Sequence, residues 1–203
     1  MRAHHLLLFG MFLLAVAAVG CPRQPKPSTK SMLNLVPKLY RFSPAKLGRQ
    51  IQARVNQVRL KYGLKPLQWD TPLQKVALEH SQNMAKNNYF SHTNDVGESP
   101  MQRGFRAGLR CARKLPSGLR RTGIGENLFQ NHLYSAIIYR KNGAQRTQHY
   151  RWSHAKEIVA TTVRGWLNSP SHRHNMLSQH YTHGGVGVAI SADGKVYITH
   201  NFC

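Results

Sequence analysis

The residues best suited to chemistry in this sequence are two histidines and a glutamate that lie far apart. His92 ends a Tyr-Phe-Ser-His run, Glu126 stands in a Gly-Glu-Asn run, and His172 follows Trp166 within a Ser-Pro-Ser-His-Arg run. Imidazole nitrogens and a carboxylate can bind one divalent metal such as zinc, or can carry out acid–base chemistry. The spacing alone is unspecific, since the chain has 12 histidines and no H-E-x-x-H motif. We predict that the three residues line one cleft. Their types and spacing do not decide between metal binding and acid–base chemistry.

Ser169 and Ser171 lie close to His172 and raise nucleophilic catalysis as another option. Neighbours in sequence do not make a catalytic triad, which also needs a shaped oxyanion site. Because a proline follows Ser169, we predict that this serine is the N-cap of a short helix. His80 lies on the apolar face of a predicted helix and is interpreted as a core or rim histidine bonded to backbone.

The helices that must position these residues are indicated by apolar periodicity and by capping residues. A helical stripe covers residues 46–62. Further helices are predicted to begin at the N-cap residues Thr71, Ser99 and Ser153, and a short one covers residues 171–177.

Two hairpins are predicted between these helices and after them. Residues 134–139 and 145–152 are β-prone and flank an Asn-Gly turn signal, and residues 186–190 and 196–199 alternate around a second turn. Helices and antiparallel strands in mixed order indicate an α+β fold.

The charge of the chain is extreme, with Lys and Arg outnumbering Asp and Glu 29 to 7 and a formal net charge of +22. Such a surface attracts polyanions, among them membrane headgroups, acidic wall polymers, polysaccharides and nucleic acids. No nucleic-acid-binding signature accompanies the charge, so we interpret it as adaptation to an anionic envelope and expect no specific nucleic acid partner. Glu126, one of few acidic residues, is expected to have a particular partner. It and the histidines could therefore serve only to hydrogen-bond two halves of the fold together.

An export signal is predicted at residues 1–20. A short cationic start precedes an apolar run over residues 6–19 that is too short to span a bilayer comfortably. Small residues then precede Cys21, which resembles a bacterial lipobox in which the cysteine is lipidated. The alternative is an ordinary signal peptide with Cys21 unmodified. Residues 21–38 are rich in Pro, Lys and Ser and are predicted to form a flexible basic tether, followed by one domain over residues 39–203.

Two further cysteines, Cys111 and Cys203, remain in the predicted domain. In an oxidising compartment they could form a disulfide between the last residue and a mid-chain loop. Two free, buried thiols are the alternative.

Several motifs together resemble the bacterial branch of the CAP superfamily, the group of cysteine-rich secretory proteins, antigen 5 and plant pathogenesis-related proteins, also called SCP-like. These motifs occupy residues 55–59, 63–70, 80–85, 90–93, 125–127, 166–173 and 185–188. The resemblance covers residues 47–202 and implies a three-layer α-β-α sandwich with a central antiparallel sheet.

The resemblance also implies a cleft with two histidines and two glutamates that binds a divalent metal in some members. His92 and His172 match the two histidines and Glu126 matches one glutamate, whereas Ser169 stands where eukaryotic members carry the second. With that ligand missing, zinc at His92 and His172 is expected to bind weakly, and no cofactor is expected to be required. An insertion over residues 128–152, relative to eukaryotic members, could reshape or cover the cleft.

These features favour a non-enzymatic binding module, exported and anchored to the membrane at the bacterial cell envelope. Its cleft of His92, Glu126, Ser169 and His172 would hold a lipid, sterol, glycan or peptide. The expected partners are the membrane, through the lipid anchor, and anionic envelope polymers or lipids. One alternative is a metal-assisted hydrolase in which Glu126 is the general base acting on a water near the histidines. Another is a polyanion-binding adhesin, whose binding should fall steeply with salt.

Overall fold

The computed structural model describes residues 36–37, 41–114, 118 and 120–203. The predicted signal peptide, Cys21 and most of the predicted tether lie outside these residues. Val36, which the sequence assigned to the tether, is buried in the hydrophobic core, so packing begins before residue 39. Within the described ranges, no helix is long and apolar enough to cross a membrane.

Helices and strands alternate along the described part of the chain, as the mixed sequence pattern predicted. In order they are α1 (Pro44–Lys61), β1 (Gln68–Trp69), α2 (Thr71–Asn87), α3 (Pro100–Arg106), β2 (Ala112–Lys114), β3 (Arg120–Thr122), β4 (Gly125–His132), β5 (Tyr134–Asn142), β6 (Gln145–Trp152), α4 (Ala155–Asn168), α5 (Pro170–Leu177), β7 (His183–Ile190) and β8 (Lys195–Phe202).

Two predicted helix caps are wrong by one residue. Asp70, not Thr71, is the N-cap of α2, where its carboxylate accepts a backbone N–H at 2.7 Å. His154, not Ser153, precedes α4, and the Glu157 carboxylate accepts the His154 N–H at 2.8 Å. In both places a carboxylate accepts from the backbone at the positive end of a helix, where a negative charge is favoured over a hydroxyl.

The central sheet has the strand order β1-β7-β8-β4. The β7–β8 pair is antiparallel, as predicted, and so is the β8–β4 pair, whereas the two-residue β1 pairs in parallel with β7. Along β7, Val186 contacts α1 at Gly48, while Gly185 and Gly187 face the backbone of α2. Successive residues of a strand point to opposite faces, so α1 and α2 cover the two faces of the sheet. This is the predicted α-β-α sandwich.

The strands β5 and β6 form the predicted hairpin, and β2 and β3 form a second small two-stranded sheet. Of residues 128–152, which we predicted to be an insertion relative to eukaryotic members, residues 128–132 belong to β4 and pair with β8, and residues 134–152 form the hairpin.

Close packing of α2 against β7 depends on glycine. A Cβ built on Gly187 would lie 2.1 Å from the backbone nitrogen of Leu78. Backbone atoms in the middle of a helix cannot move aside as a flexible side chain can. We therefore expect Gly187→Ala to lower the free energy of unfolding by about 3 kcal/mol, measured by urea denaturation.

Gly63→Ala provides the comparison. Gly63 has φ of 69° with no atom within 4 Å of a built Cβ, so alanine there meets strain but no clash. We expect a loss of about 1 kcal/mol. Equal losses in the two variants would contradict the packing argument.

His200 is a buried titratable residue in the centre of the sheet. Its ring centroid lies 5.7 Å from that of Trp166 and 3.9 Å from that of Phe202. Neither ring nitrogen has a hydrogen-bond partner within the described ranges. Complete burial, with a smaller contribution from the charge of Arg59, lowers the pKa of His200 from 6.5 to about 3.

Because the folded protein holds His200 neutral, its unfolded chain takes up the proton first. The contribution of His200 to stability is therefore complete above pH 6.5 and is lost as the pH falls from there towards 3. Between pH 7 and pH 5 the expected loss is about 2 kcal/mol. Urea denaturation at both pH values should show this loss reduced in His200→Leu and unchanged in His149→Leu, whose histidine is exposed. If the two variants keep the same pH dependence as the natural chain, this assignment is wrong.

Candidate functional site

Glu126 is the centre of the candidate site. It lies in β4 with its side chain 1% exposed. Glycine precedes it, and a Cβ built on Gly125 would come within 2.4 Å of the hydroxyl of Tyr181. The Gly-Glu run therefore lets Tyr181 cover the strand at the point where the carboxylate is buried.

Arg103 is the partner that the scarcity of acidic residues led us to expect, and the sequence did not identify it. Its side chain is also 1% exposed, and its Nη2 donates to Glu126 Oε2 at 2.6 Å. Its Nη1 donates to the backbone carbonyls of His92 and Glu98, both at 2.8 Å. The guanidinium therefore fixes the carboxylate and also the irregular segment that carries His92. The one sequence feature that bears on Arg103 is its position in α3, the helix whose predicted Ser99 capping box is present.

His92 uses the other oxygen of the same carboxylate. Its Nδ1 lies 2.8 Å from Glu126 Oε1, and its side chain is 51% exposed. The segment before it is held by His80, which is buried and whose Nε2 lies 2.9 Å from the carbonyl oxygen of Ser91. His80 thus has the structural role predicted for it.

His172 comes from α5, which two asparagines position over β4. Asn127 Nδ2 donates to the His172 carbonyl at 2.8 Å, and Asn175 Nδ2 donates to the Glu126 carbonyl at 3.1 Å. Ser169 occupies the N-cap position of α5 as predicted, but its hydroxyl makes no capping bond and lies 2.8 Å from His172 Nδ1. Burial, followed by the charge of nearby His92, lowers the pKa of His172, which favours its neutral form.

The structure therefore brings His92 and Glu126 into contact and places His172 beside them. In the part of the chain that the structure describes, no hydrogen bond reaches Nε2 of His92 or of His172, and no group of three or more His, Cys, Asp or Glu side chains could hold a metal. The two Nε2 atoms are thus the only donors that this set offers to a metal. A carboxylate on Nδ1 of a histidine is the arrangement that commonly orients a metal-binding imidazole.

The same contacts limit what Glu126 can do. One oxygen is bonded to a buried guanidinium and the other to an imidazole. A general base must reach the proton that it removes. In this arrangement Glu126 orients His92 and joins α3 to the sheet, which matches the structural alternative raised from the sequence.

A disulfide joins Cys111 to Cys203, whose Cα atoms are 5.2 Å apart. Cys203 N donates to the His183 carbonyl at 3.0 Å, which fixes the end of β8 against β7. The disulfide therefore ties the segment between α3 and β4 to the end of the central sheet.

The buried ion pair predicts a large difference between two arginines of one helix. Arg103→Ala leaves the buried Glu126 carboxylate without its guanidinium and should lower the free energy of unfolding by about 3–5 kcal/mol. Arg106→Ala removes an exposed arginine paired with Glu79 and Glu98 and should cost less than about 1 kcal/mol. Urea denaturation at pH 7 measures both. Similar losses in the free energy of unfolding would show that the buried Arg103–Glu126 pair stabilises the fold no more than an exposed ion pair does.

Comparison with known proteins agrees with this architecture. The CAP model, described as the cysteine-rich secretory protein family, matches residues 52–202. The uncharacterized membrane protein YlbC of Bacillus subtilis (strain 168) is 32% identical over 154 residues, which is 76% of this chain and 33% of that protein. The uncharacterized protein YkwD of the same organism is 31% identical over 141 residues, 68% of this chain and 41% of that protein. The chain thus spans less than half the length of these relatives.

Solved structures show the same fold. An extracellular SCP-domain protein of Bacillus anthracis str. Ames is 29% identical, with a TM-score of 0.52 over 77% of this chain and 40% of that one. An outer surface protein of Borrelia burgdorferi is 20% identical, with a TM-score of 0.57 over 79% of this chain and 94% of that one. With the family model matching residues 52–202, the chain belongs to the CAP family of cysteine-rich secretory proteins, as its motifs predicted.

Proposed function

We propose that the protein is a non-enzymatic binding module of the bacterial cell envelope, whose ligand occupies the cleft beside His92 and His172. The observation that carries this proposal is the engagement of Glu126. Both of its oxygens are bonded, one to buried Arg103 and one to His92. The cleft therefore offers a ligand two oriented imidazoles and the Ser169 hydroxyl, but no free carboxylate base.

Export and membrane anchoring are part of the proposal. The apolar run before Cys21 supports them, as do the descriptions of related proteins: extracellular in Bacillus anthracis, outer surface in Borrelia burgdorferi and membrane in Bacillus subtilis. A lipidated Cys21 followed by a basic tether would hold the domain close to the membrane, where lipids, sterols, glycans and peptides of the envelope are the ligands within reach.

We propose zinc only as a weak, optional ligand of His92 and His172. The neutral form of His172 is favoured at pH 7, and metal binding needs neutral imidazole. His92 and His172 would supply two nitrogens, and Ser169 and Glu126 would orient the rings from their Nδ1 side. Bound zinc would supply a Lewis-acidic centre for a ligand oxygen.

The hydrolase alternative is opposed by the same geometry. It requires Glu126 to take a proton from a water, yet the carboxylate is buried and ion-paired with Arg103 at 2.6 Å. Freeing it would leave the guanidinium of Arg103 buried without its counter-ion, which is strongly unfavourable.

Calorimetric zinc titration of the chain tests the cleft. We expect one weakly bound ion, and we expect His92→Ala/His172→Ala to abolish binding because both donors are gone. Ser169→Ala should weaken binding by about tenfold, the usual effect of removing a group that orients a ligating histidine. His149→Ala/His174→Ala removes two exposed histidines, one in β6 and one in α5, that are not part of the candidate site and is the matched control. Equal binding by the two double variants would refute a zinc site in the cleft.

Turnover tests the non-enzymatic part of the proposal. With zinc present, the natural chain should release labelled products from fluorescent casein and from purified cell-wall fragments no faster than His92→Ala/His172→Ala does. Release that Glu126→Gln abolishes, in a variant whose circular dichroism is unchanged, would establish the hydrolase in place of the binding module.

A further inference from the structure

The β5–β6 hairpin stands apart from the central sheet. Its strands pair with each other and, within the described ranges, with no other strand. Every residue from Ile138 to His149 is exposed. Nothing in the candidate site requires this hairpin, so its surface calls for an explanation of its own.

The charge of the hairpin has one sign. Residues 134–152 contain four cationic residues and no Asp or Glu. Three of the cations, Arg140, Lys141 and Arg146, lie next to the turn and are exposed. Arg151 instead donates from Nε to the Ser135 hydroxyl at 2.7 Å and belongs to the base of the hairpin. The outer half therefore presents an uncompensated positive charge.

One face of the hairpin is a track of aromatic rings that leads to two of these cations, Lys141 and Arg146. Arg140 pairs with Thr147 and lies on the other face. Opposite residues of an antiparallel pair share a face, and Ile137 pairs with Tyr150 while Lys141 pairs with Arg146. On this face the ring of Tyr150 lies 5.2 Å from that of Tyr134 and 5.1 Å from that of Trp152. Tyr139, farther out along the same face, is 69% exposed.

The shape of this track favours a linear polymer over a bilayer. From Tyr134 to Lys141 it extends about 24 Å at ~3.4 Å per residue. The turn itself, Asn142-Gly143-Ala144-Gln145, carries no large apolar side chain that could enter a membrane. Aromatic faces stack on the C–H faces of sugar rings, and arginine and lysine pair with their acidic groups.

We propose that this face of the β5–β6 hairpin is a binding surface for an anionic polysaccharide. The aromatic rings hold the sugar rings, and Lys141 and Arg146 hold the acidic groups of the chain. This surface is separate from the cleft at His92 and His172, and the inference does not depend on the cleft having a ligand.

Binding to alginate, a polymer of uronic acids, tests the proposal. Because the whole protein is strongly basic, the variant needs a control of equal charge. The test variant is Lys141→Gln/Arg146→Gln. The control is Lys61→Gln/Lys86→Gln, which removes one exposed cation from each of the first two helices. We expect the hairpin variant to lose at least about tenfold in affinity and the control less than about threefold. Equal losses would overturn the proposal, since they would mean that net charge alone attracts the polymer.

The contribution of the aromatic ring is tested with a polyanion that has no sugars. Tyr139→Ser should weaken binding to alginate and leave binding to polyphosphate unchanged. Exposed substitutions in the hairpin should leave the thermal unfolding transition in place, which confirms that each variant is folded. If Tyr139→Ser weakens both ligands equally, or neither, the surface does not recognise a polysaccharide.

Vesicles separate the polymer from a membrane. Phosphatidylglycerol vesicles and phosphatidylcholine vesicles are compared for the natural chain and the hairpin variant. We expect the hairpin substitutions to change vesicle binding less than about threefold. A tenfold or greater loss confined to the phosphatidylglycerol vesicles would instead identify the hairpin as a membrane-docking surface and contradict the proposal.

Discussion

A buried carboxylate must find partners, and those of Glu126 come from separate parts of the chain. Arg103 reaches it from α3 and His92 from the segment after α2. The same guanidinium also binds the carbonyls of His92 and Glu98. One charged contact therefore fixes a strand, a short helix and a long irregular segment relative to each other. If the pair were broken, nothing would hold these parts in their relative positions, and the geometry of the candidate site would be lost.

A second buried arginine also joins separate segments of the chain, but it binds backbone carbonyls instead of a carboxylate. Arg59, in α1, donates to the backbone carbonyls of Lys65, Met176, Ser178 and Tyr181 at 2.8–3.2 Å. These carbonyls lie after α1 and around the end of α5, where helices leave acceptors unpaired. Burial lowers the pKa of Arg59. The carbonyl dipoles compensate the charge of Arg59. The helix α5, which carries His172, is therefore held at its C-terminal end by Arg59 and against β4 by asparagines.

The sequence was informative where local chemistry decides and uninformative where partners are distant. Apolar periodicity and capping residues located the helices and both hairpins, and family motifs pointed to His92, Glu126 and His172, which lie near one another in the structure. Strand β4 was not predicted, because its buried polar residues Glu126 and Asn127 break the alternation expected of a strand and are satisfied only by tertiary contacts. Arg103 could not be singled out among 29 cationic residues. The Ser169–His172 contact likewise depends on the start of α5, which spacing does not determine.

The topology places β8 in the middle of the central sheet. Strand β8 lies between β7 and β4, and Glu126 pairs with Asn201. During synthesis, β4 therefore emerges long before the strand that completes its backbone hydrogen bonds. The nascent chain carries an open strand edge until β8 is free to pair with it. Folding of such a long-range topology is slow, and this interval is when the protein is most exposed to aggregation and proteolysis.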